Sequence, residues 1–397
     1  MKKTSYPPTA NTMIFCSLQL NKVRHILLMM LLFCLLICNN KVAYSFETIA
    51  AQACIMDYGT GEILYEKNGD ELMAPSSMSK LMTTYMVFNF LKDGSIALDN
   101  NFIVSQKAWK TEGSKMFVQY NSAVSVEDLI RGMIVQSGND ACIVLAEGIS
   151  GDEALFAEQM NIMAKKLGLE QSRFQNATGW PDPNHVMTAR ELAILAARLI
   201  RDFPEYYHYF AEQQFSYNGI RQMNRNVLLN QFGVDGLKTG HTNVAGYGIV
   251  ASAQRNGRRV IVVINGLKSE KDRAMEASRL LNYSFTNFDS KKLFSAGEVI
   301  EQAPVWYGSV RTVGIAVDKD IEVVLPKLLK EKIDTRIKHQ TPLTAPIEKG
   351  QHIADLIISY PNSKERIVPL VAKESVQQAA WYQRIYQNVL HYLGLGE

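Results

Sequence analysis

Three short runs collect the residue types that acyl-transfer chemistry needs. The first is Ser77 with Lys80 three positions on. Positions i and i+3 share one face of a helix, so a helix starting here would set the Lys80 amine beside the Ser77 hydroxyl. A serine hydroxyl is a weak nucleophile and needs a base within hydrogen-bond reach. Lysine can be that base if its pKa falls from ~10.4 to about 7–8, at a cost of about 3–4 kcal/mol in ammonium stability. Burial and a neighbouring cation both act in this direction, and Lys238 is a candidate neighbour. The second run, Ser137-Gly138-Asn139, puts a hydroxyl and an amide on a tight loop between two helical patterns. The third, Lys238-Thr239-Gly240, opens a strand pattern in which Gly240 permits close approach of backbone or ligand.

The surrounding patterns position these runs. Ala51 to Asp57 and Glu62 to Tyr65 read as strands joined by Gly59-Thr60-Gly61. Met78, Leu81, Met82, Tyr85, Met86 and Phe88 recur at helical spacing, which predicts a buried helix at the first run. Further helices are expected over 125–135, 141–147, 152–167 and 188–201. Near residue 217 the pattern changes to strands. Tyr247 to Gln254 and Arg258 to Asn265 form a hairpin about Asn256-Gly257, and the apolar run Val260 to Ile264 suits a central strand covered on both faces. A helix over 271–283 closes this unit. The result is an α+β body in which strands from both ends of the sequence pair in an antiparallel sheet.

Residues 288–375 are expected to form a small all-β domain, from short alternating runs at 313–317, 321–325, 333–337, 352–359 and 366–371. The tail, 376–397, contains an amphipathic helix. Trp381, Tyr382, Ile385, Tyr386, Val389, Leu390 and Leu393 share one face, which suits either a membrane interface or docking on the protein itself. Arg384 is the only fixed charge on the other face, so membrane binding would rest on apolar burial.

Residues 1–45 read as an export signal. Lys22 and Arg24 precede a 13-residue apolar run, Ile26 to Cys38, and Ala43-Tyr44-Ser45 offers small residues for cleavage. An uncleaved anchor is the other reading. Five of the 42 basic residues and none of the 39 acidic ones lie in this leader, so the remainder carries two more acidic than basic charges. No nucleic-acid binding follows. Of five cysteines only Cys54 and Cys142 lie beyond the leader, both in apolar settings, which makes them buried thiols rather than a disulfide framework. The seven histidines show no ligand spacing, so neither a metal nor a cofactor is expected.

S-x-x-K, S-x-N and K-T-G in this order are the signature of penicillin-binding proteins and serine β-lactamases. Here Gly138 takes the place of the middle Asp. The chain is similar to the D-alanyl-D-alanine carboxypeptidases among the low-molecular-mass penicillin-binding proteins, serine peptidases with a C-terminal membrane anchor. The resemblance runs through PSSMSKLMT at 75–83, QSGNDAC at 136–142, GWPDPNH at 179–185, TARELA at 188–193, NGIRQMNRN at 218–226 and VDGLKTGHT at 234–242. VWYG at 305–308 and VLPK at 324–327 extend it through the β domain.

The resemblance implies a penicillin-binding, serine β-lactamase-like catalytic domain over 46–287. Ser77 would attack the penultimate D-alanine carbonyl of a peptidoglycan stem and become acylated. Lys80 would take its proton, and Ser137 with Lys238 would relay a proton to the leaving amine. Asn139 would hold the substrate amide, Thr239 the terminal carboxylate, and Gly240 would line the strand that binds substrate. The N–H groups of Ser77 and His241 would form the oxyanion hole. Arg225 and Arg273 match arginines near the family's site, with salt bridging between elements as their other reading. β-Lactams would acylate the same serine as covalent inhibitors. The location implied is the periplasmic face of the inner membrane, held peripherally by the C-terminal helix. A DD-endopeptidase is chemically close. A β-lactamase is disfavoured because no Glu-x-x-Leu-Asn lies between Ser137 and Lys238. A penicilloylated sensor or a wall scaffold would not need intact Ser77, Lys80 and Lys238.

Overall fold

The computed structural model describes residues 46–329, 332–361 and 365–392. The expected leader, 1–45, lies outside them. The catalytic body is organised by a five-stranded sheet. Its strands are β1 (Gln52–Asp57), β2 (Ile63–Lys67), β3 (Val234–Thr242), β4 (Gly246–Arg255) and β5 (Arg258–Leu267), in the order β2-β1-β5-β4-β3. β1 pairs with β5 in antiparallel register from Gln52↔Asn265 to Asp57↔Val260, so strands from the two ends of this body lie side by side, as the pattern predicted. The five residues Val260 to Ile264 are all fully buried. Successive residues of a strand face opposite ways, so both faces of β5 are covered. The β4–β5 turn has Asn256 at φ 49° and Gly257 at φ 80°, the two left-handed residues that a tight hairpin requires.

Five helices of ten or more residues sit between β2 and β3 in sequence and shape the other side of the site: α1 (Lys80–Lys92), α2 (Val126–Val135), α3 (Asn139–Ser150), α4 (Glu153–Lys166) and α5 (Ala189–Asp202). α1 contacts each of the other four. Its residues from Lys80 to Phe88 are all buried, which makes it the axis of this half rather than a surface helix. Side-chain caps fix where several helices start. Ser125 Oγ accepts the Asp128 N–H, and Thr188 Oγ1 accepts the Glu191 N–H. α6 (Glu270–Asn287) packs on β4 and β5 and leads directly into the next domain.

That domain is all β. Its strands are β6 (Phe288–Phe294), β7 (Val299–Trp306), β8 (Thr312–Ala316), β9 (Ile321–Pro326), β10 (Asp334–His339), β11 (Leu343–Thr344), β12 (His352–Ser359) and β13 (Arg366–Ala372). A six-stranded sheet runs β10-β12-β13-β8-β7-β11, and β6 pairs with β9. The alternation did not reveal β6 and β7. Asp289, Ser290, Lys291 and Lys292 run together in β6, and β7 is mostly open to solvent. Glu62 joins the two domains by accepting the Val324 N–H and Arg366 Nη1, each at 3.1 Å. The last described helix, α7 (Trp381–Tyr392), docks by its polar side: the Tyr307 N–H donates to Gln387 Oε1 at 2.9 Å and the Tyr307 hydroxyl to Asn388 Oδ1 at 2.6 Å.

Residues 173–187 return the chain from α4 to α5 beneath the site, held by antiparallel bridges Arg173↔Val186 and Met73↔Met187. His185 is buried there against Phe174, and Nδ1 accepts the Gln175 N–H at 3.3 Å. Burial pushes its pKa down to about 4. The folded protein therefore keeps this histidine neutral while the unfolded chain takes up a proton below pH ~6.5. Its contribution to stability is full above that value and falls away towards pH 4, by about 3 kcal/mol in all. Urea unfolding of the parent and of His185→Gln across this range tests it. The parent should lose the more stability on acidification, and parallel curves would remove the assignment.

Candidate active site

Ser77 lies in a 3-10 turn, Ser76–Ser79, immediately ahead of α1, rather than in the helix proper. Ser76 has φ 51°, and the Met78 N–H donates back to Pro75 O at 3.1 Å. Ser76, Met78 and Ser79 are buried, while Ser77 alone of the four is partly exposed. Lys80 has no exposed surface. Its Nζ donates to Ser77 Oγ at 3.0 Å, to Asn139 Oδ1 at 2.8 Å and to the Thr178 carbonyl. All three acceptors are uncharged. Burial therefore lowers the Lys80 pKa, helped by the nearby Arg225 guanidinium.

Lys238 is the neighbouring amine that the sequence suggested, and the two lysines disfavour each other's charge. Lys238 is itself buried, and its pKa is pushed well down by desolvation, then by Lys80, Arg225 and Arg273. Its Nζ makes one weak bond, to Thr239 O at 3.2 Å. Two amines in one dry site cannot both hold their charge easily, so they titrate as a pair. Cys142, one turn along α3 from Asn139, is held near 12 by burial and stays a neutral thiol beside both lysines.

The second run is locked by a residue that pattern reading missed. The Asp140 carboxylate accepts the N–H groups of Met116, Phe117 and Val118 at 2.9–3.2 Å, and of Ala141 at 2.9 Å. Asn139 is tied to the same segment: its N–H donates to Ser114 O at 2.7 Å and Nδ2 to Glu112 O at 2.8 Å. A Cβ on Gly138 would stand 2.8 Å from Asp140 Oδ1, 3.1 Å from Gly132 O and 3.2 Å from Met116 N, which explains why Gly replaces Asp here. Ser137 sits at φ 69°, and its buried Oγ has no hydrogen-bond partner among the described residues. A buried hydroxyl without a partner is costly, so the site stores polar capacity for a ligand.

The third run forms the sheet edge. On β3, a Cβ on Gly240 would lie 3.0 Å from Pro75 O and Met78 Cγ, so the glycine lets the strand press against the turn that carries Ser77. Thr239 is buried and His241 exposed. The His241 ring stacks on Tyr247 at 3.9 Å, and the Arg273 guanidinium lies 5.8 Å from the same ring. Arg273 also donates to Glu270 Oε1 at 2.6 Å and to Arg225 O at 3.4 Å. Arg225 Nε donates to Gln136 O at 3.0 Å, which brings it to the second run. Both arginines are thus tied to the elements that form the site.

Thr178 is the other residue that the sequence did not single out. Asn176 Oδ1 gathers the N–H groups of Thr178, Gly179 and Trp180 and the Thr178 hydroxyl, which aims Thr178 O at Lys80. Gly179 has φ 75°, and a Cβ there would lie 2.1 Å from Ser76 O. The signal was present in Asn176-Ala177-Thr178-Gly179, a polar turn ending in glycine.

The D-alanyl-D-alanine carboxypeptidase family model matches residues 39–269, and that of the penicillin-binding protein 5 C-terminal domain matches 288–378. The D-alanyl-D-alanine carboxypeptidase DacA of Haemophilus influenzae is 40% identical over 317 residues, which is 78% of this chain and 81% of the relative. DacC of Escherichia coli is 36% identical, covering 85% and 86% respectively. The crystal structure of penicillin binding protein 5 from Haemophilus influenzae superposes with a TM-score of 0.80 at 37% identity, over 85% of this chain and all of that one. Penicillin-binding protein D2 from Listeria monocytogenes, in its ampicillin-bound form, superposes at 0.56 with 30% identity, over 61% of this chain and 99% of that one. On this evidence the chain belongs to the D-alanyl-D-alanine carboxypeptidase family of serine peptidases, within the penicillin-binding proteins.

Proposed function

We propose that this chain removes the terminal D-alanine from pentapeptide stems of peptidoglycan through an acyl-enzyme on Ser77. The observation that carries the reading is the fully buried Lys80 amine, 3.0 Å from Ser77 Oγ and bonded only to neutral acceptors. Such an amine gives up its proton at a lower pH than an ordinary lysine and can accept the serine proton as Oγ attacks. The bond from Oγ to the carbonyl carbon forms, and the oxyanion is met by the N–H groups of Ser77 and His241, each worth ~3–4 kcal/mol. The peptide C–N bond then breaks. Its nitrogen receives the proton through Ser137, whose hydroxyl has no partner among the described residues. Thr239, Lys238 and the two arginines hold the terminal carboxylate, and Asn139 positions Lys80 while its second amide hydrogen serves the substrate. Water cleaves the ester to regenerate Ser77. β-Lactams acylate the same serine, and their tethered leaving group prolongs the adduct. Lys80 has no carboxylate among its hydrogen-bond partners, which weighs against a β-lactamase that deacylates with a glutamate.

The membrane reading rests on α7. With its polar side on Tyr307, the helix leaves Trp381, Tyr382, Ile385, Tyr386 and Val389 exposed, Trp381 at 67% and Tyr386 at 64%. Among the described residues no helix is long and apolar enough to cross a membrane. An outward apolar stripe with interfacial aromatics suits a helix lying in the headgroup region. The protein is then exported and held peripherally at the periplasmic face of the inner membrane.

Three measurements test these readings. Incubation with a pentapeptide ending in D-Ala-D-Ala should release free D-alanine, and Ser77→Ala should abolish both that release and the covalent penicillin adduct seen by intact-protein mass spectrometry. A retained adduct would move the nucleophile elsewhere. Because the neutral amine is the active form and its pKa is lowered, the acylation rate should rise with pH and level off below the usual lysine value of ~10.4. A rate that is flat from about pH 6 to about pH 10 would discard Lys80 as the base. Replacing Trp381, Ile385 and Tyr386 together by Ser should release the protein from sedimenting lipid vesicles with penicillin acylation intact. Undiminished sedimentation would place the anchor outside this stripe.

A further inference from the structure

Four aromatic side chains at the cleft mouth have no part in the chemistry above. Trp109, Phe117, Tyr120 and Trp180 are 46%, 49%, 57% and 47% exposed. They surround residues 111–115, the segment whose carbonyls hold Asn139. Trp180 lies directly over it: a Cβ on Gly113 would be 3.0 Å from Cζ3 of Trp180 and 2.9 Å from Asn139 Nδ2. Trp109 belongs to the short helix Gln106–Lys110. Its ring centroid is 6.0 Å from that of Tyr120, with the planes inclined by 41°, and Lys115 Nζ ties the Trp109 carbonyl to the same segment at 2.9 Å. The patch is therefore continuous with the cleft.

The fold enforces this exposure. Asp140 draws in three successive N–H groups and holds Phe117 at φ 69°, a region that costs a bulky residue of order 1–3 kcal/mol. Met116 and Val118 are buried on either side while Phe117 is turned outward. Core filling does not account for a strained, outward-facing phenylalanine between two buried neighbours.

We propose that Trp109 and Tyr120, continued by Phe117 and Trp180, form a ledge that stacks against the N-acetylated amino sugars carrying the stem peptide. The inference rests on the carboxypeptidase reading and deepens it, making glycan-borne peptide the preferred substrate. Reach supports this occupant. Three stem residues upstream of the attacked one span about 10–11 Å when extended. Trp109 is three residues from Glu112, whose carbonyl bonds Asn139, and Asn139 in turn bonds Lys80 beside Ser77. A chain of three hydrogen bonds thus links the segment beside the ledge to the reacting serine, and the extended stem supplies reach from there. Aromatic faces carry negative quadrupole charge that attracts the polarised C–H faces of pyranose rings. The exposed Gln119 and Asn121 between and beside the rings suit hydroxyl and acetamido groups. A lipid surface is met instead by α7.

The test compares the full chain with the double variant Trp109→Ala, Tyr120→Ala. Each is given a free pentapeptide ending in D-Ala-D-Ala and the same peptide carried on an N-acetylated disaccharide, with D-alanine release as the readout. The parent should favour the glycan-borne peptide by about five- to tenfold in kcat/KM, and the variant should lose that preference. Free-peptide turnover and penicillin acylation should stay within about twofold, which also reports that the variant is folded. If acylation drops, Tyr120→Ala alone replaces the double variant. A parent without preference, or a variant that keeps it, overturns the proposal. So does a variant that keeps its glycan preference but no longer sediments with lipid vesicles, which would give the ledge to a membrane. Absence of D-alanine release from both substrates by the parent would instead remove the carboxypeptidase reading.

Discussion

The whole site depends on keeping one lysine amine out of water. Lys80 has no solvent to stabilise its charge and no carboxylate bonded to it in compensation. An ammonium under these conditions loses several kcal/mol of solvation. The three neutral acceptors return only part of that, and the remainder lowers the pKa of the amine, so that it sheds its proton more readily than an ordinary lysine. Much of the surrounding architecture follows from this demand. α1 must be buried along its first three turns so that Lys80 sits at the floor of the cleft, and two separate segments must deliver Asn139 and Thr178 to meet it.

Delivery requires backbone to approach backbone more closely than side chains permit. Three glycines meet that requirement from three directions: Gly138 against Met116 and Gly132, Gly179 against Ser76, and Gly240 against Pro75 and Met78. Two polar side chains, Asp140 buried and Asn176 half-buried, then fix the loops that the glycines bring near. Asp140 gathers the N–H groups of 116–118, and Asn176 gathers those of 178–180. The reacting groups sit on loops and turns, while the precision of their placement comes from these inward-facing anchors and from the rigid sheet edge. The motif residues are thus held in place by neighbours that no motif marks.

Legibility in the sequence follows the range of the interaction. Ser77 and Lys80 were readable because i, i+3 geometry is local, and the hairpin at Asn256-Gly257 because its turn needs two left-handed residues. Val260 to Ile264 announced a central strand because burial on both faces leaves no room for alternation. Asp140 and Thr178 escaped notice because their partners lie 22 to 98 residues away, although the polar turn ending in Gly179 marked the neighbourhood of Thr178. β6 escaped for the opposite reason: it gains its place by pairing with β9, while Ser290, Lys291 and Lys292 give it the look of a loop. Lys238 was legible as the amine beside Lys80 from the motifs. Burial lowers the pKa of both amines, whose bonded partners are all neutral, an asymmetry of amines over bonded carboxylates.

The same asymmetry bears on what happens after acylation. A β-lactamase of the glutamate type places a charged carboxylate where it can activate water beside the ester. Here the bonded groups around the Lys80 amine are a hydroxyl, an amide and a carbonyl, and no carboxylate bonds it. Hydrolysis must therefore reuse the single lysine that drove acylation, and it can do so only once that lysine has lost the proton taken from Ser77. With a peptide substrate the departing D-alanine carries the proton away and leaves the cleft open to water. With a β-lactam the leaving nitrogen stays attached to the acyl group and keeps both the proton and the space. One base can serve both half-reactions: it turns over the natural substrate, whose leaving group vacates the cleft, and retains the drug, whose tethered leaving group keeps water from the ester.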